Sequence, residues 1–211
     1  MIICFDLDGT LLDTNSWILN SQIKAFKKNN IKYTKSKLYS MWGLTLSDQV
    51  KLLKPNATKK ELKKISEDFN EIRFASVNTI KPYKNVKRIL KKLSKEYTLC
   101  LLSNNRHSSI IKVLDSIKLD KKMFHLIIGK DEVKRPKPFP DEIYKAEKQL
   151  KKKVQFMVGD TQQDIKTAKA AKVKSIIILN SPKQTWKSLN NADFKIKDIK
   201  EIPTLIKEEN K

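Results

Sequence analysis

Two aspartates with the spacing of a catalytic pair, Asp6 and Asp8, directly follow the apolar run 2–5 at the start of the chain. Such a run is typical of a strand buried on both faces of a parallel sheet, and ligands of open α/β sheets bind beyond the carboxyl ends of these strands. Gly9 permits a sharp turn, so both carboxylates can face one site. A strand that ends in a solvated acidic turn is the alternative interpretation. Two carboxylates so placed can supply a nucleophile and a general acid or base.

A second acidic strand end follows the apolar run 156–158. Gly159 and Asp160 come directly after it, and Asp164 follows four residues later. A helix N-cap followed by an acid in the first turn would explain Asp160 and Asp164 locally. That explanation does not account for a second acidic strand end that repeats the layout of the first.

Groups suited to holding a phosphate lie at two further positions. Ser103 and Asn104 follow the apolar run 99–102, and their hydroxyl and backbone N–H groups could hold a phosphoryl group, although the same pair is also ordinary turn chemistry. Lys137 lies between Pro136 and Pro138, which restrict the path of the chain around a lysine entering the site.

Strand and helix patterns alternate along most of the chain, which predicts a parallel sheet with right-handed crossovers. The predicted strands are 2–5, 98–102, 126–128, 154–158, 175–179 and a short one near 194–196. The predicted helices between and after them are 84–95, 108–117, 141–150, 163–171 and one at the C-terminus.

Residues 15–80 interrupt this alternation, because they contain no convincing strand pattern. Helices are predicted near 17–28 and 46–53, and a third follows a capping box formed by Thr58 and Glu61. The fold class is therefore α/β. We expect a Rossmann-like parallel-sheet core with helices on both faces, built from residues 1–14 and 81–211, and a small all-helical cap of residues 15–80 inserted after the first strand.

Four motifs follow one another along the chain: Asp6 with Asp8, Ser103 with Asn104, Lys137, and Asp160 with Asp164. In this order they resemble the motifs of the haloacid-dehalogenase-like phosphohydrolase superfamily, whose first motif is the Asp-x-Asp-Gly-Thr found here at 6–10. The helical insert resembles the cap of the phosphoglycolate-phosphatase-like branch. Dehalogenases and phosphonate hydrolases lack an acid at the position of Asp8, which favours a phosphatase. The chain departs from the usual pattern at Lys172 and Pro136, where glycine is common.

The resemblance implies a Mg²⁺-dependent phosphatase that forms an aspartyl-phosphate. Asp6 would be the nucleophile, and Asp8 would donate a proton to the leaving oxygen and later take one from water. Mg²⁺ is a hard ion that binds oxygen ligands and would mask the charge of the nucleophile. The implied metal ligands are Asp6, Asp8 (through its backbone carbonyl), Asp160 and Asp164, and the implied phosphate-binding residues are Ser103, Asn104 and Lys137.

The choice of substrate is left open by the sequence. Trp42 and Thr45 flank Gly43 in a connection between cap helices, so they are candidates for substrate selection, and packing explains them equally well. The expected partner is a small phosphorylated metabolite such as phosphoglycolate, a sugar phosphate, a nucleoside monophosphate or pyrophosphate. A phosphosugar mutase is an alternative, which the absence of arginine from 44–47 disfavours.

The net charge of +22 raises a rival hypothesis, a basic nucleic-acid-binding or scaffold protein with a vestigial phosphatase site. Only four basic residues are arginines, which is the residue suited to bidentate phosphate and base contacts. We therefore expect solvated lysine-rich surfaces, weak non-specific binding of polyanions and no specific nucleic acid partner.

Cysteine use and hydropathy suggest the compartment. Cys4 and Cys100 lie inside apolar runs, as expected of buried, reduced thiols. No apolar stretch approaches about 18 residues, and no cleavable signal is recognisable. We expect a cytoplasmic protein that does not associate with a membrane.

Overall fold

The apolar run at the start of the chain forms an inner strand of a parallel sheet. In the computed structural model, which describes residues 1–41, 44–180 and 189–209, strand β1 (Ile2–Phe5) is buried at every position. Both faces of this strand are therefore covered, as expected for a parallel sheet enclosed by helices. This agrees with the prediction from its uninterrupted apolar sequence.

The sheet contains six parallel strands in the described residues. The other five are β2 (Thr98–Ser103), β3 (Leu126–Gly129), β4 (Val154–Gly159), β5 (Lys174–Ile178) and β6 (Phe194–Ile196). Their order across the sheet is β3-β2-β1-β4-β5-β6. The order reverses direction beside β1, so the carboxyl ends of β1, β2 and β4 border the crevice where sheets of this kind bind ligands. The α/β, Rossmann-like prediction is confirmed.

The chain divides into two compact units, Met1–Asp13 with Lys81–Lys211 and Thr14–Ile80. The helices of the first unit are α5 (Val86–Leu93), α6 (His107–Ser116), α7 (Asp141–Leu150), α8 (Gln162–Ala171) and α9 (Ile202–Glu209). A buried cluster that includes Cys4, Cys100, Ile143 and Ala146 joins α7 to the sheet. Cys4 and Cys100 are free and buried, as predicted.

The second unit is helical throughout its regular structure in the described residues. It contains α1 (Asn15–Lys28), α2 (Lys35–Ser40), α3 (Leu46–Leu53) and α4 (Lys59–Phe74), followed by a short 3₁₀ turn, Val77–Thr79. The capping box at the start of α4 is confirmed, because the Thr58 hydroxyl accepts from Glu61 N at 3.2 Å and Glu61 Oε2 accepts from Thr58 N at 2.8 Å. Phe26, Leu38 and Ile65 belong to its buried core.

Helix α2 was not predicted from the sequence. It has six residues, and Leu38 is its buried residue, so no apolar periodicity marks it. A capping contact from Lys37 N to Thr34 Oγ1, 3.2 Å long, accompanies its first turn. No helix in the described part of the chain has the length and apolar character needed to cross a membrane.

Candidate active site

The turn after β1 places its acidic residues against the end of β4. Asp6 N donates to Val158 O at 2.8 Å, which continues the pairing of the two strands by one residue. Gly9 follows with φ of +81°, and a Cβ there would lie 2.3 Å from Asp160 Oδ2. Glycine is therefore required by both the backbone conformation and the close approach of Asp160.

Three buried carboxylates meet at this edge of the sheet. Asp6 follows β1, Asp160 follows β4 and Asp164 lies in the first turn of α8, and one oxygen from each lies within 4.8 Å of the others. Asp164 Oδ2 accepts from Thr161 N at 3.0 Å and from the Thr161 hydroxyl at 2.6 Å. These two bonds fix the carboxylate of Asp164 and leave its other oxygen directed at the cluster.

Lys137 brings a positive charge into the cluster. Its ammonium donates to Asp6 Oδ1 at 2.5 Å and to Asp164 Oδ1 at 2.7 Å, and its side chain is only 3% exposed. Burial lowers the pKa of Lys137, but the neighbouring charges of Asp164 and Asp6 outweigh it and hold that pKa well above its usual range. Lys137 is therefore a permanent cation in the site.

One ammonium does not offset the acidic charge of the site. Burial raises the pKa of Asp6 to about 7; Lys137 opposes the rise, and Asp164 and Asp8 add to it. The Thr10 hydroxyl lies 3.1 Å from both Asp6 Oδ2 and Asp160 Oδ1, and with a single hydrogen it can donate to only one of them at a time. A dense set of buried carboxylate oxygens fits a hard divalent cation.

Asp8 has different surroundings from Asp6. It is partly exposed, and its Oδ2 accepts a hydrogen bond from the side-chain amide of Asn105. Asn105 N in turn donates to Ser103 Oγ at 3.2 Å, so the turn after β2 is linked to the turn after β1. A carboxylate with access to solvent and a fixed orientation is suited to proton exchange with a substrate.

The two residues predicted to hold phosphate lie beside this turn. Ser103 is 1% exposed at the end of β2. The Asn104 side chain donates to Lys137 O at 3.1 Å. This contact connects the loop that carries Lys137 to the end of β2. The structure therefore brings Ser103, Asn104 and Lys137 to the same sheet edge as the four aspartates, and their roles stay predictions.

Three residues that contact the site had no role assigned from sequence. They are Thr10, Asn105 and Asn180, whose amide donates to Gly9 O at 2.9 Å and to Thr10 O at 3.2 Å. Thr10 stands inside the motif at 6–10 and Asn105 directly follows Ser103 and Asn104, which was the available signal. Asn180 follows β5 with no motif around it, so only the three-dimensional structure shows that it holds the turn after β1.

The candidates for substrate selection lie in the helical unit. Trp42 lies outside the described residues, together with Gly43. The Thr45 hydroxyl caps α3 by accepting from Asp48 N at 3.2 Å, which gives it a structural role. Trp17 packs within the same unit, where its indole donates to Arg73 O at 2.9 Å.

Comparison with known proteins identifies the chain's relatives. The family model described as haloacid dehalogenase-like hydrolase matches residues 3–178. A pyrophosphatase, PpaX, of Halalkalibacterium halodurans is 30% identical over 83% of this chain and 82% of its own length.

Two solved structures share the fold. A hydrolase from Pseudomonas syringae superposes with a TM-score of 0.87 at 21% identity, covering 99% of this chain and 98% of its own. A structure described as a predicted phosphoglycolate phosphatase from Haemophilus somnus has a TM-score of 0.82 at 23% identity, covering 97% of both chains. Because their sequence identity to this chain is low, these two structures support the assignment of the fold alone.

Proposed function

Since this chain belongs to the haloacid dehalogenase-like hydrolase family, we propose that it is a magnesium-dependent phosphatase that hydrolyses a small phosphate compound through an aspartyl-phosphate on Asp6. The observation that carries the proposal is the meeting of Asp6, Asp160 and Asp164 with Lys137 at the carboxyl edge of the sheet. Phosphate-monoester hydrolysis can require acceleration of up to about 10²¹-fold, so a catalyst must supply a nucleophile and neutralise charge. This site contains groups for both tasks.

Asp6 performs the nucleophilic step in the proposed mechanism. One of its carboxylate oxygens bonds to phosphorus while the bond from phosphorus to the leaving oxygen breaks. Asp8 donates a proton to that leaving oxygen and then takes a proton from the water that attacks the aspartyl-phosphate, which restores free Asp6 and releases inorganic phosphate. The Asn105 amide orients Asp8 through both steps.

The remaining groups stabilise charge. Lys137 donates to Asp6 and supplies positive charge where the phosphoryl group would arrive. Ser103 and the Asn104 backbone amide are proposed to hold phosphoryl oxygens. Asp6, Asp160, Asp164 and the carbonyl of Asp8 would hold Mg²⁺, which when bound masks negative charge on the nucleophile and the phosphoryl oxygens.

The substrate is proposed at the level of a chemical class. Pyrophosphate and small phosphate monoesters, such as phosphoglycolate or a sugar or nucleoside phosphate, are the candidates, and the name of the Halalkalibacterium halodurans relative puts pyrophosphate first in a panel. We propose that the helical unit Thr14–Ile80 selects the leaving group, with Trp42 and Thr45 as candidate contacts. The Thr45→Ser variant would retain the hydroxyl that caps α3 while removing a methyl group.

Metal dependence tests the proposal directly. Turnover of the best compound in a panel of phosphorylated metabolites and pyrophosphate should collapse in EDTA and return with added Mg²⁺. Ca²⁺ should not restore it, because its larger and more flexible coordination shell would misplace Asp6 relative to phosphorus. The measurement is phosphate release in each condition. Full activity in chelator would disprove the metal assignment, and no turnover of any compound would disprove the phosphatase.

A further inference from the structure

Asn180 contacts the site, and the proposed mechanism assigns it no step. It lies two residues after β5, and the residue before it continues the pairing with β6, because Leu179 N donates to Ile196 O at 3.1 Å. The Asn180 side chain is partly buried, and its amide donates to Gly9 O at 2.9 Å and to Thr10 O at 3.2 Å. Asn180 therefore connects the end of β5 to the turn after β1, although β4 lies between these strands in the sheet.

The two acceptors are consecutive carbonyls that the bonds within the turn do not use. Gly9 N donates to Leu12 O at 2.9 Å, and Leu12 N donates to Leu7 O at 3.0 Å. In the described part of the chain, no backbone N–H donates to Gly9 O or to Thr10 O. Backbone carbonyls away from water need hydrogen-bond donors, and the Asn180 amide supplies one to each of these two.

The position of this part of the turn decides where the Thr10 hydroxyl lies. Thr10 is 0% exposed and β-branched, and such a side chain has few rotamers, so its backbone sets the position of the hydroxyl. That hydroxyl lies 3.1 Å from Asp6 Oδ2 and 3.1 Å from Asp160 Oδ1. A continuous set of hydrogen bonds and covalent bonds thus joins Asn180 to the proposed nucleophile and to a proposed metal ligand.

Asn105 and Asn180 bond to the same turn from opposite sides. Strand β2, after which Asn105 lies, is next to β1 on one side, and β4 and β5 lie on the other side. The Asn105 amide donates to the Asp8 side chain, whereas the Asn180 amide donates to the backbone that follows Asp8. The turn is therefore restrained at a side chain on one side and at its main chain on the other.

We propose that Asn180 is a positioning residue, whose amide keeps the turn after β1 in the conformation that directs the Thr10 hydroxyl at the two carboxylates. This inference rests on the proposed function and adds a residue to it. The proposed mechanism gives Asn180 no contact with the substrate or the metal, so an effect of its loss on the reaction must act through the turn.

Replacement of the amide should slow the chemical step more than substrate capture. Asn180→Asp keeps the shape of the side chain but replaces the donor with an oxygen that faces two carbonyl oxygens, and Asn180→Ala removes the group if the aspartate variant does not fold. We expect kcat to fall about tenfold with KM changed less than about twofold, because a displaced nucleophile attacks more slowly while the phosphate-binding groups stay in place.

Asn29→Ala is the matched control for the loss of an asparagine amide. The Asn29 amide also donates to a backbone carbonyl, Ala25 O at 3.0 Å, and to Asp68 Oδ2 at 2.7 Å, within the helical unit. This variant should lower the melting temperature and keep kcat at the wild-type value, so it separates lost stability from lost positioning.

A double-mutant cycle tests whether Asn180 acts through Thr10. Thr10→Val removes the hydroxyl at nearly the same volume, so in that background Asn180→Ala has no hydroxyl to misplace. The tenfold fall in kcat should therefore shrink to about twofold or less. An equal fall in both backgrounds would overturn the positioning role, and so would wild-type kcat in folded Asn180→Ala.

Amide hydrogen exchange tests the restraint without reference to activity. Loss of the Asn180 amide should loosen the turn, so in Asn180→Ala the N–H groups of Gly9 and Leu12, which bond within it, should exchange at least about tenfold faster. Asn29→Ala should leave these two rates unchanged. Unchanged exchange in Asn180→Ala would overturn the proposal.

Two further outcomes separate this inference from its alternatives. An equal rise in exchange throughout the sheet, with a fall in kcat that follows a fall in melting temperature, would show that Asn180 supports folding alone, and would overturn the positioning role. If the wild type turns over no phosphate compound, the proposed function fails, and the exchange rates still decide whether Asn180 holds the turn.

Discussion

Asp6 and Asp8 are two residues apart in the sequence, yet their surroundings suit them to different tasks. Asp6 is buried between the Lys137 ammonium and the Thr10 hydroxyl, and their hydrogen bonds fix the orientation of its carboxylate. Asp8 is partly exposed and is oriented by Asn105. A nucleophile benefits from a fixed approach, and a general acid needs access to the leaving group and to water.

Substitution of these two aspartates should produce different defects. Asp6→Ala removes the nucleophile, so turnover should fall to background and no phosphoenzyme should form. Asp8→Ala keeps the nucleophile but slows both proton-dependent steps, so with an aryl phosphate, whose leaving group needs little acid assistance, phosphoenzyme should accumulate. Acid-quenched enzyme treated with hydroxylamine would detect the acyl phosphate.

Circular dichroism of both variants provides the control for folding. Normal turnover by folded Asp6→Ala would rule out the aspartyl-phosphate mechanism. Equal loss of phosphoenzyme in both variants would instead mean that Asp8 serves the first step only through metal binding.

Several of the residues predicted from the sequence lie at the carboxyl end of a strand or directly after it, whereas Lys137 lies in the loop before α7. Asp6, Ser103 and Asp160 could be brought together in advance because the carboxyl ends of parallel strands meet. Asn180 could not be recognised this way. It follows β5 outside any motif, and only its hydrogen bonds to Gly9 O and Thr10 O link it to the turn after β1.

The helices and strands that were predicted from the sequence agree with the structure to within about two residues at each end. Strand β6 matches its expected bounds, and α3 and α7 do so as well. The failure was α2, whose single buried residue, Leu38, gives no period to detect. The order of strands across the sheet also had to come from the structure, because pairing between β1 and β4 joins segments about 150 residues apart.

Within the helical unit, one acidic residue ties α4 to the end of α1. Asp68 accepts from Asn29 Nδ2 at 2.7 Å and pairs with Lys28 at 2.7 Å, and it is buried. Hydrogen bonds from Lys28 and Asn29 hold the pKa of Asp68 below its usual range. Asp68→Asn should therefore lower the free energy of unfolding by about 1–2 kcal/mol at pH 7, measured by urea unfolding followed by circular dichroism.

The sign of the pH dependence follows from the lowered pKa. Stability from ionised Asp68 is fully present above the pKa of an unfolded aspartate, near 3.9, and is lost as pH falls through the lower folded value. The difference between wild type and Asp68→Asn should thus be constant from pH 5 to 8 and shrink below pH 4. Glu71→Gln is the matched control, because exposed Glu71 lies 3.6 Å from the same lysine and should contribute little. Equal effects of the two variants would contradict the assignment.

At the scale of the whole molecule, the charge of +22 resides in groups of two kinds. Surface lysines such as Lys63 and Lys153 have side chains 80% and 86% exposed, whereas the Lys137 side chain is 3% exposed between two carboxylates. Mobile ions screen exposed charges within about 8 Å at physiological ionic strength and screen buried pairs far less. Added salt should therefore weaken binding through the exposed lysines far more than it weakens interactions within the buried site.

This difference separates the phosphatase from a basic nucleic-acid-binding protein. Non-specific binding that neutralises six to ten phosphates weakens by roughly 10³- to 10⁵-fold between 50 and 200 mM salt, so DNA or RNA binding should largely disappear over that range. The kcat/KM for the best small phosphate compound should fall only modestly, because Ser103 and Lys137, which would hold its phosphoryl group, are buried. Filter binding with a mixed-sequence duplex and phosphate-release kinetics across the same salt series measure the two properties. Tight, sequence-selective nucleic acid binding at 200 mM salt, with no phosphate compound turned over, would establish the rival function and leave the four motifs vestigial.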